Sequence, residues 1–321
     1  MKKSGLPQDV VVLFDRWCRS FFARHVSADL PRIYVNGRID FEKTRFGVLE
    51  ALRGEKDLRK CIEYALVDDG QDLTLEAIEI LAFAAEHVVV VAAGQQKVLE
   101  GGASESFVSE ALDLHKNCAV LTGDFRSAKS VAQLAAHFID DQNHRREYLS
   151  QVRNEHMASQ SPLFYIAPSE EKELEHLSRY VLLREAMKEN VGILVPTNSM
   201  VHRLAKGLGE KGIEVEKAIP FDAQNVIHTP YDFGNRRPKI TTYREAKGLS
   251  FDSVLMPRLT EDALSELPSH QRHSLIFIGM VRAARWVYLS TEKGHESQEA
   301  HLLLSAGKVG HLSIFQKMAF D

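Results

Sequence analysis

The chain has 321 residues, 44% hydrophobic and 26% charged, enough to bury the cores of about two globular domains. A formal net charge of −4 excludes the overall basic character that announces nucleic acid, although a basic groove can coexist with an acidic exterior. No apolar run approaches the roughly 18 residues of a membrane span, and MKKSGLPQDVVVLF lacks a signal-peptide core and cleavage site. Cys18, Cys61 and Cys118 are scattered without metal spacing, so a cytoplasmic protein with buried thiols is expected, and no membrane partner.

In chain order, short apolar runs alternate with helical patterns, the signature of α/β architecture with parallel sheets. Strands are expected at DVVVLF (9–14), YALV (64–67), HVVVVA (87–92), CAVLT (118–122), VGILVP (191–196), KITTY (239–243), DSVLM (252–256) and WVYLST (286–291). Among the helices, SAKSVAQLAAHFIDD follows the fourth strand. SMVHRLAKGLGEKG places Val201, Leu204 and Leu208 at helical spacing and ends near Gly212. The stretch from about 140 to 190 is polar, and EEKELEHLSRYVLLREAMKE reads as a surface helix of mixed charge. NHRRE (143–147) and GNRRPK (234–239) read as solvated surface, and Trp17 and Trp286 as core. A domain boundary is expected near residue 115, between the helix SFVSEALDLHKN and the strand CAVLT.

One turn raises a question of chemistry. After YALV come Asp68, Asp69 and Gln71, and then the amphipathic pattern LTLEAIEILAFAAE. Strand, acidic turn, helix is the geometry in which a carboxylate meets a metal ion at the carboxyl edge of a parallel sheet. Taken alone, the turn has a plainer reading as a polar loop whose aspartates cap the next helix. Asp72 and Thr74 read as helix-start residues.

The segments that follow change the weight of that turn. HVVVVAAGQQKVLEGG carries Gln96 after a strand, LTGDFRS presents Arg126, TTYREAKGLSFDSV carries Lys247 and Gly248, and LIFIGMVRAARWVYLS carries Arg282. In this order and spacing the series resembles the UvrD/Rep-like superfamily 1 DNA helicases over nearly the whole chain. The resemblance implies two RecA-like parallel-sheet domains: residues 1–115, truncated at the amino terminus, and residues 116–321. It also implies ATP-dependent 3′ to 5′ movement on single-stranded DNA, with Mg-ATP as cofactor.

By the same resemblance, VDDGQDL corresponds to the family's VDEAQDL, so Asp68 would bind Mg²⁺ and Asp69 would stand where a glutamate activates the attacking water. Gln71 and Gln96 would sense the γ-phosphate. Arg126, in DFRS against NYRS, and Arg282, in MVRAAR against LTRAK, would reach that phosphate from the second domain. AKGLSFD corresponds to AKGLEFD, which assigns Lys247 and Gly248 to the nucleotide side and Thr242, Tyr243 and Arg244 to nucleic acid. The residue types suit the chemistry on their own terms. Phosphoryl transfer needs a metal-holding carboxylate and cationic groups on the transferred phosphate, and a planar guanidinium meets phosphate oxygens in two places.

The pattern also breaks. No G-x-x-x-x-G-K-S/T loop occurs in the 321 residues; GLGEKGI and LSAGKV fail on spacing or residue type. VVVLFDRWCRSFF resembles a family segment that lies after that loop. Asp69 is one methylene shorter than the family glutamate, Ala92 and Ala93 replace its Gly-Asp, Arg244 its histidine, Ser250 its glutamate and Val281 its threonine. Three readings therefore stay open: a helicase relative deficient in ATP hydrolysis as an isolated chain, a non-catalytic nucleic-acid-binding or regulatory subunit, and the product of a broken helicase gene. A protein partner supplying the missing strand and loop is expected under the first two.

Overall fold

A computed structural model describes residues 12–32, 34–35, 38–92, 119, 123, 126–153, 160–217 and 231–316. The chain divides into two compact units, Met1–Val120 and Leu121–Asp321.

In the first unit, the helix Phe14–His25 buries Cys18, Phe21 and Phe22, one apolar stripe at helical spacing. The DVVVLF run is not a strand where it is described: Val12 and Leu13 are irregular, and Phe14 opens this helix. The amphipathic repeat of FDRWCRSFF outweighs the valine run before it. A two-residue antiparallel ladder joins β1 (Tyr34–Val35) to β2 (Arg38–Ile39). The helix Glu42–Gly54 follows, then β3 (Ile62–Val67), the helix Leu75–Ala84 and β4 (Ala85–Val90). β3 and β4 pair in parallel, with Tyr64 opposite His87 and Leu66 opposite Val89. Phe21, Phe22, Val48, Leu49, Leu52 and Ile80 make the core where the three helices meet. Arg45 and Asp15 clamp the first two together through a two-pronged ion pair, at 2.7 and 3.0 Å.

In the second unit, seven described strands form one sheet: β5 (Leu163–Ala167), β6 (Val191–Val195), β7 (Glu216–Lys217), β8 (Lys239–Thr242), β9 (Phe251–Met256), β10 (Ala283–Glu292) and β11 (Ser313–Phe315). Their order is β11-β5-β10-β9-β6-β8-β7, and every pairing is parallel. The helices Glu170–Ala186 and Asn198–Glu210 cover one face, seating Leu177, Val181, Val201 and Leu208 over Ile193, Leu255 and Tyr288. Lys129–Ala135 and Ser269–Met280 pack against β10 and β9. Every residue of β5, β6 and β8 is buried, as a parallel sheet covered on both faces requires. The architecture is α/β with parallel sheets, consistent with RecA-like domains.

Several expectations need correction here. β5, LFYIA, lies inside the stretch read as polar, and β11 was not expected either. The helix Glu170–Ala186 is no surface helix: Glu173, His176 and Arg184 are buried along with its aliphatic stripe. Arg184 lies 3.7 Å from the Trp286 ring, donates to Gln160 Oε1 at 2.6 Å and faces Glu189 at 3.5 Å. In GNRRPK, Lys239 is buried in β8, its ammonium held by Glu216 at 2.9 Å and by Asn235 Oδ1 at 2.6 Å. Pairing, not exposure, accommodates these charges. The predicted strand CAVLT, except Ala119, and the predicted helix SFVSEALDLHKN lie outside the described residues.

Candidate functional site

In the first unit the acidic turn stands at the carboxyl end of β3. Asp68 is exposed, and one of its carboxylate oxygens accepts the Asp69 N–H at 3.0 Å. Asp69 adopts φ +56, a left-handed conformation that aspartate tolerates better than most residues. Gly70 then opens a short 3-10 turn, Gly70–Asp72, and its N–H donates to Val91 O at 2.8 Å. A Cβ on Gly70 would lie 2.2 Å from Val90 Cγ1, so only glycine lets the turn press onto β4. The following helix is capped not by the aspartates but by Thr74, whose hydroxyl accepts from Ala77 N. Capping therefore does not account for Asp68. An exposed carboxylate of this kind suits Mg²⁺ arriving with phosphates, which uses one or two protein carboxylates, rather than a metal caged by protein. Among the described residues no group of three or more His, Cys, Asp or Glu could hold a metal ion. The Gln71 side chain and all of Gln96 lie outside the described residues.

In the second unit, Arg126 and Arg282 come to one edge of the sheet. Arg282 immediately precedes β10 and is buried, its Nε donating to Ile278 O at 3.2 Å. Arg126 is exposed, two residues before Ala128, whose N–H donates to Ala284 O at 2.8 Å at the start of the same strand. The amino edge of β10 thus carries both residues.

The segment TYREAKGLS runs between two edges. Thr242 ends β8 at the carboxyl edge, opposite Val195. Nine residues later Phe251 begins β9, and its N–H donates to Arg282 O at 2.9 Å. Between them the chain turns tightly, with Ala246 N bonded to Thr242 O, Lys247 N to Arg244 O, and Gly248 at φ +79. Lys247 is half-buried on this crossover. Of the three residues expected at nucleic acid, only Arg244 is exposed, its guanidinium donating to Gln271 Oε1 at 2.5 Å. Thr242 is buried and accepts from Glu245 N at 3.2 Å. Tyr243 is fully buried, burial pushes its hydroxyl well above the ordinary phenol value, and that hydroxyl has no hydrogen-bond partner among the described residues. Its aromatic ring is a core element, not a platform for a base.

Sequence reasoning missed a second polar group at the carboxyl edge. Glu173 is buried in the helix after β5 and accepts from Ser290 Oγ at 2.6 Å and from Arg258 N at 2.9 Å. The Arg258 guanidinium reaches Glu173 at 3.2 Å and Glu292 at 2.8 Å. Burial pushes the Glu173 carboxyl up, against the donors it faces. Burial also works against the Arg258 charge, but the surrounding carboxylates prevail and hold its pKa above the ordinary value. Arg258 adopts φ +62, which costs about 1–2 kcal/mol for a non-glycine residue. Nothing in MPRLTED signals that conformation, and EEKELEH shows only charge.

No protein-family model matches the chain, and no curated protein matches it. Among solved structures, the chain is similar to the C-terminal domain of a possible DNA helicase from Lactobacillus plantarum WCFS1, at 14% identity and a TM-score of 0.43, over 60% of this chain and 99% of that one. Among the described residues no helix is long and apolar enough to cross a membrane.

Proposed function

We propose that the chain is a relative of the UvrD/Rep-like superfamily 1 helicases, acting on single-stranded DNA with Mg-ATP. One observation carries the reading: the crossover TYREAKGLS leads from the carboxyl edge of the second sheet to a backbone bond with Arg282, at the edge that also bears Arg126. A segment bonded at one end to an arginine edge and presenting Arg244 at the other is a physical link between phosphate chemistry and strand binding. In this reading Asp68 holds the magnesium, Asp69 orients water, and Arg126 and Arg282 neutralise charge on the γ-phosphate. Gln71 and Gln96 sense that phosphate, Lys247 and Gly248 serve the nucleotide, and a protein partner supplies what the 321 residues lack.

The 321 residues contain no phosphate loop, whose amides and lysine would hold the β-phosphate. Nucleotide affinity of this chain alone is therefore expected to be no better than about millimolar, or ~4 kcal/mol of binding. That same feature favours a second reading, a non-catalytic nucleic-acid-binding subunit.

Two measurements test these readings. Fluorescence anisotropy with a labelled oligothymidine should show weak binding that falls steeply with salt, because phosphate neutralisation dominates such contacts, and Arg244→Glu should weaken it further. Binding absent at low salt, or indifferent to both salt and Arg244→Glu, sinks both readings. Phosphate release separates them. Turnover that needs single-stranded DNA and disappears in Arg126→Ala, an exposed position, selects the catalytic reading; no turnover even with a phosphate-loop segment added in trans or fused selects the binding subunit.

A further inference from the structure

The carboxyl edge of the second sheet encloses polar groups whose hydrogen bonds the protein itself does not close. Tyr243 follows β8 and is wholly buried, and its hydroxyl has no hydrogen-bond partner among the described residues. Glu299 stands in the first turn of the helix Gln298–Lys308; it is 4% exposed, and its Oε2 has no partner either. Arg272, on the helix Ser269–Met280, presents Nη1 to Glu261 at 3.0 Å and to Glu299 Oε1 at 3.9 Å. Its buried Nε is equally unmatched.

These three groups are neighbours. Arg272 faces Glu299 directly, and Glu299 is near enough to Tyr243 for its charge to act on the phenol. Burial is the main cause that keeps that phenol protonated, and the charges of Glu173 and Glu299 add to it. Each unmatched buried group bears the full cost of leaving water, and a carboxylate bears the most. The Arg272–Glu299 separation of 3.9 Å is beyond hydrogen-bond reach, so the pair does not satisfy itself.

The donors and acceptors count out to one water molecule. It accepts from the Tyr243 O–H and the Arg272 Nε–H and donates to Glu299 Oε2, three bonds, the usual number for an enclosed water. A metal cation does not fit the set, because the guanidinium brings its own positive charge and offers no acceptor. We propose that Tyr243, Arg272 and Glu299 enclose one ordered water, which fastens the crossover TYREAKGLS to the helices Ser269–Met280 and Gln298–Lys308. On the outer side the adjoining residues make the same link directly, Arg244 donating to Gln271 Oε1 at 2.5 Å. Tyr243 and Arg244 thus meet Arg272 and Gln271 twice, once through water and once without it. The crossover is held from inside as well as outside. The proposal does not depend on the helicase reading.

A high-resolution crystal structure of the full chain is the direct test. It should show one solvent peak about 2.7–3.2 Å from Tyr243 Oη, Arg272 Nε and Glu299 Oε2. In solution, Tyr243→Phe removes only the hydroxyl. It should lower the denaturation midpoint and speed amide exchange several-fold at Ala246 and Lys247, whose N–H groups bond within the crossover, while β6 exchanges as before. A phenol with nothing to bond would give the opposite sign, since deleting an unmatched buried hydroxyl is neutral or stabilising. The proposal is overturned by the absence of that peak, by a peak with the coordination of an ion, or by direct bonds among the three side chains. It is equally overturned if Tyr243→Phe matches or exceeds wild type in midpoint and crossover protection. If that variant does not fold, the wild-type map decides.

Discussion

The two units bury their sheets very differently. In the second, β5, β6 and β8 are buried throughout, with Trp286, Tyr165 and Tyr288 among the largest enclosed side chains. In the first, β3 and β4 pair alone among the described residues, and one face lies open: Leu66 is 79% exposed, Tyr64 61% and Val89 51%. A parallel sheet ordinarily has both faces covered, so the first unit draws its stability from the three-helix core more than from its sheet. The contrast teaches where stability and adaptability separate: the arginine edge and the crossover stand on a sheet whose inner strands are enclosed, the Asp68 turn on a half-enclosed one.

The two tryptophans make this comparison measurable, since Trp17 belongs to the first unit and Trp286 to the second. Phenylalanine at one of them leaves the other as reporter. The largest effect is expected for Trp286→Ala. That ring is buried, donates to Ser161 O at 2.9 Å, stacks on Tyr180 and lies under the Arg184 guanidinium. Removing it should cost the second unit about 3–5 kcal/mol, measured by chemical denaturation followed by circular dichroism. A loss under about 1 kcal/mol would show that the sheet is not the stable half.

Next in size are two opposed pH effects. Burial depresses His176 to about 4, with Arg179 adding to the effect, while Tyr165 stacks on the ring at 3.9 Å and the Tyr288 hydroxyl lies 3.1 Å from Nδ1. Below its ordinary value of 6.5 the unfolded chain binds a proton that the folded one refuses. Stability of the second unit is therefore complete above about pH 6.5 and falls toward pH 4, by about 3 kcal/mol in all. His176→Phe should flatten that slope. In the first unit, burial, reinforced by Asp15, raises the Cys18 thiol to about 12 from 9.0. Its stabilisation is complete below about pH 9 and drains as pH rises, by roughly 2 kcal/mol at pH 10.5, and Cys18→Ala should remove the dependence. Acid should loosen the Trp286 signal before the Trp17 signal; the reverse order would break the comparison.

Much of this organisation is legible in the sequence. YALV, HVVVVA, VGILVP, DSVLM and WVYLS are β-rich runs bounded by turn residues, and each contains or overlaps a strand. Thr74 and the Gly212 exit are equally plain. LFYIA escaped because it sits in a long polar stretch, and because five apolar residues do not declare themselves strand or helix. Glu173, Arg184 and Lys239 escaped for a related reason: a charge in sequence shows its type but not its partner, and partners 85 residues away (Arg258 for Glu173) settle burial. For the candidate site, the order of motifs was visible. That Tyr243 fills the core and that Arg126 and Arg282 share an edge follow from strand pairing, which no local pattern encodes.

The two smallest effects concern the first unit alone. Thr74→Ala removes the hydroxyl that accepts from Ala77 N and should cost about 1 kcal/mol, a typical helix-cap loss, while leaving the Trp286 transition in place. Leu66→Lys, on the open face of β3, should change stability by less than about 0.5 kcal/mol, because a side chain already in water loses little apolar burial. It should lower dye binding and self-association, since an open apolar strand face is what sticky surfaces are made of. A dye-binding titration beside a denaturation curve measures both quantities. A loss above about 2 kcal/mol would mean that Leu66 is covered in solution, and the contrast between an enclosed and a half-enclosed sheet would then have to be abandoned.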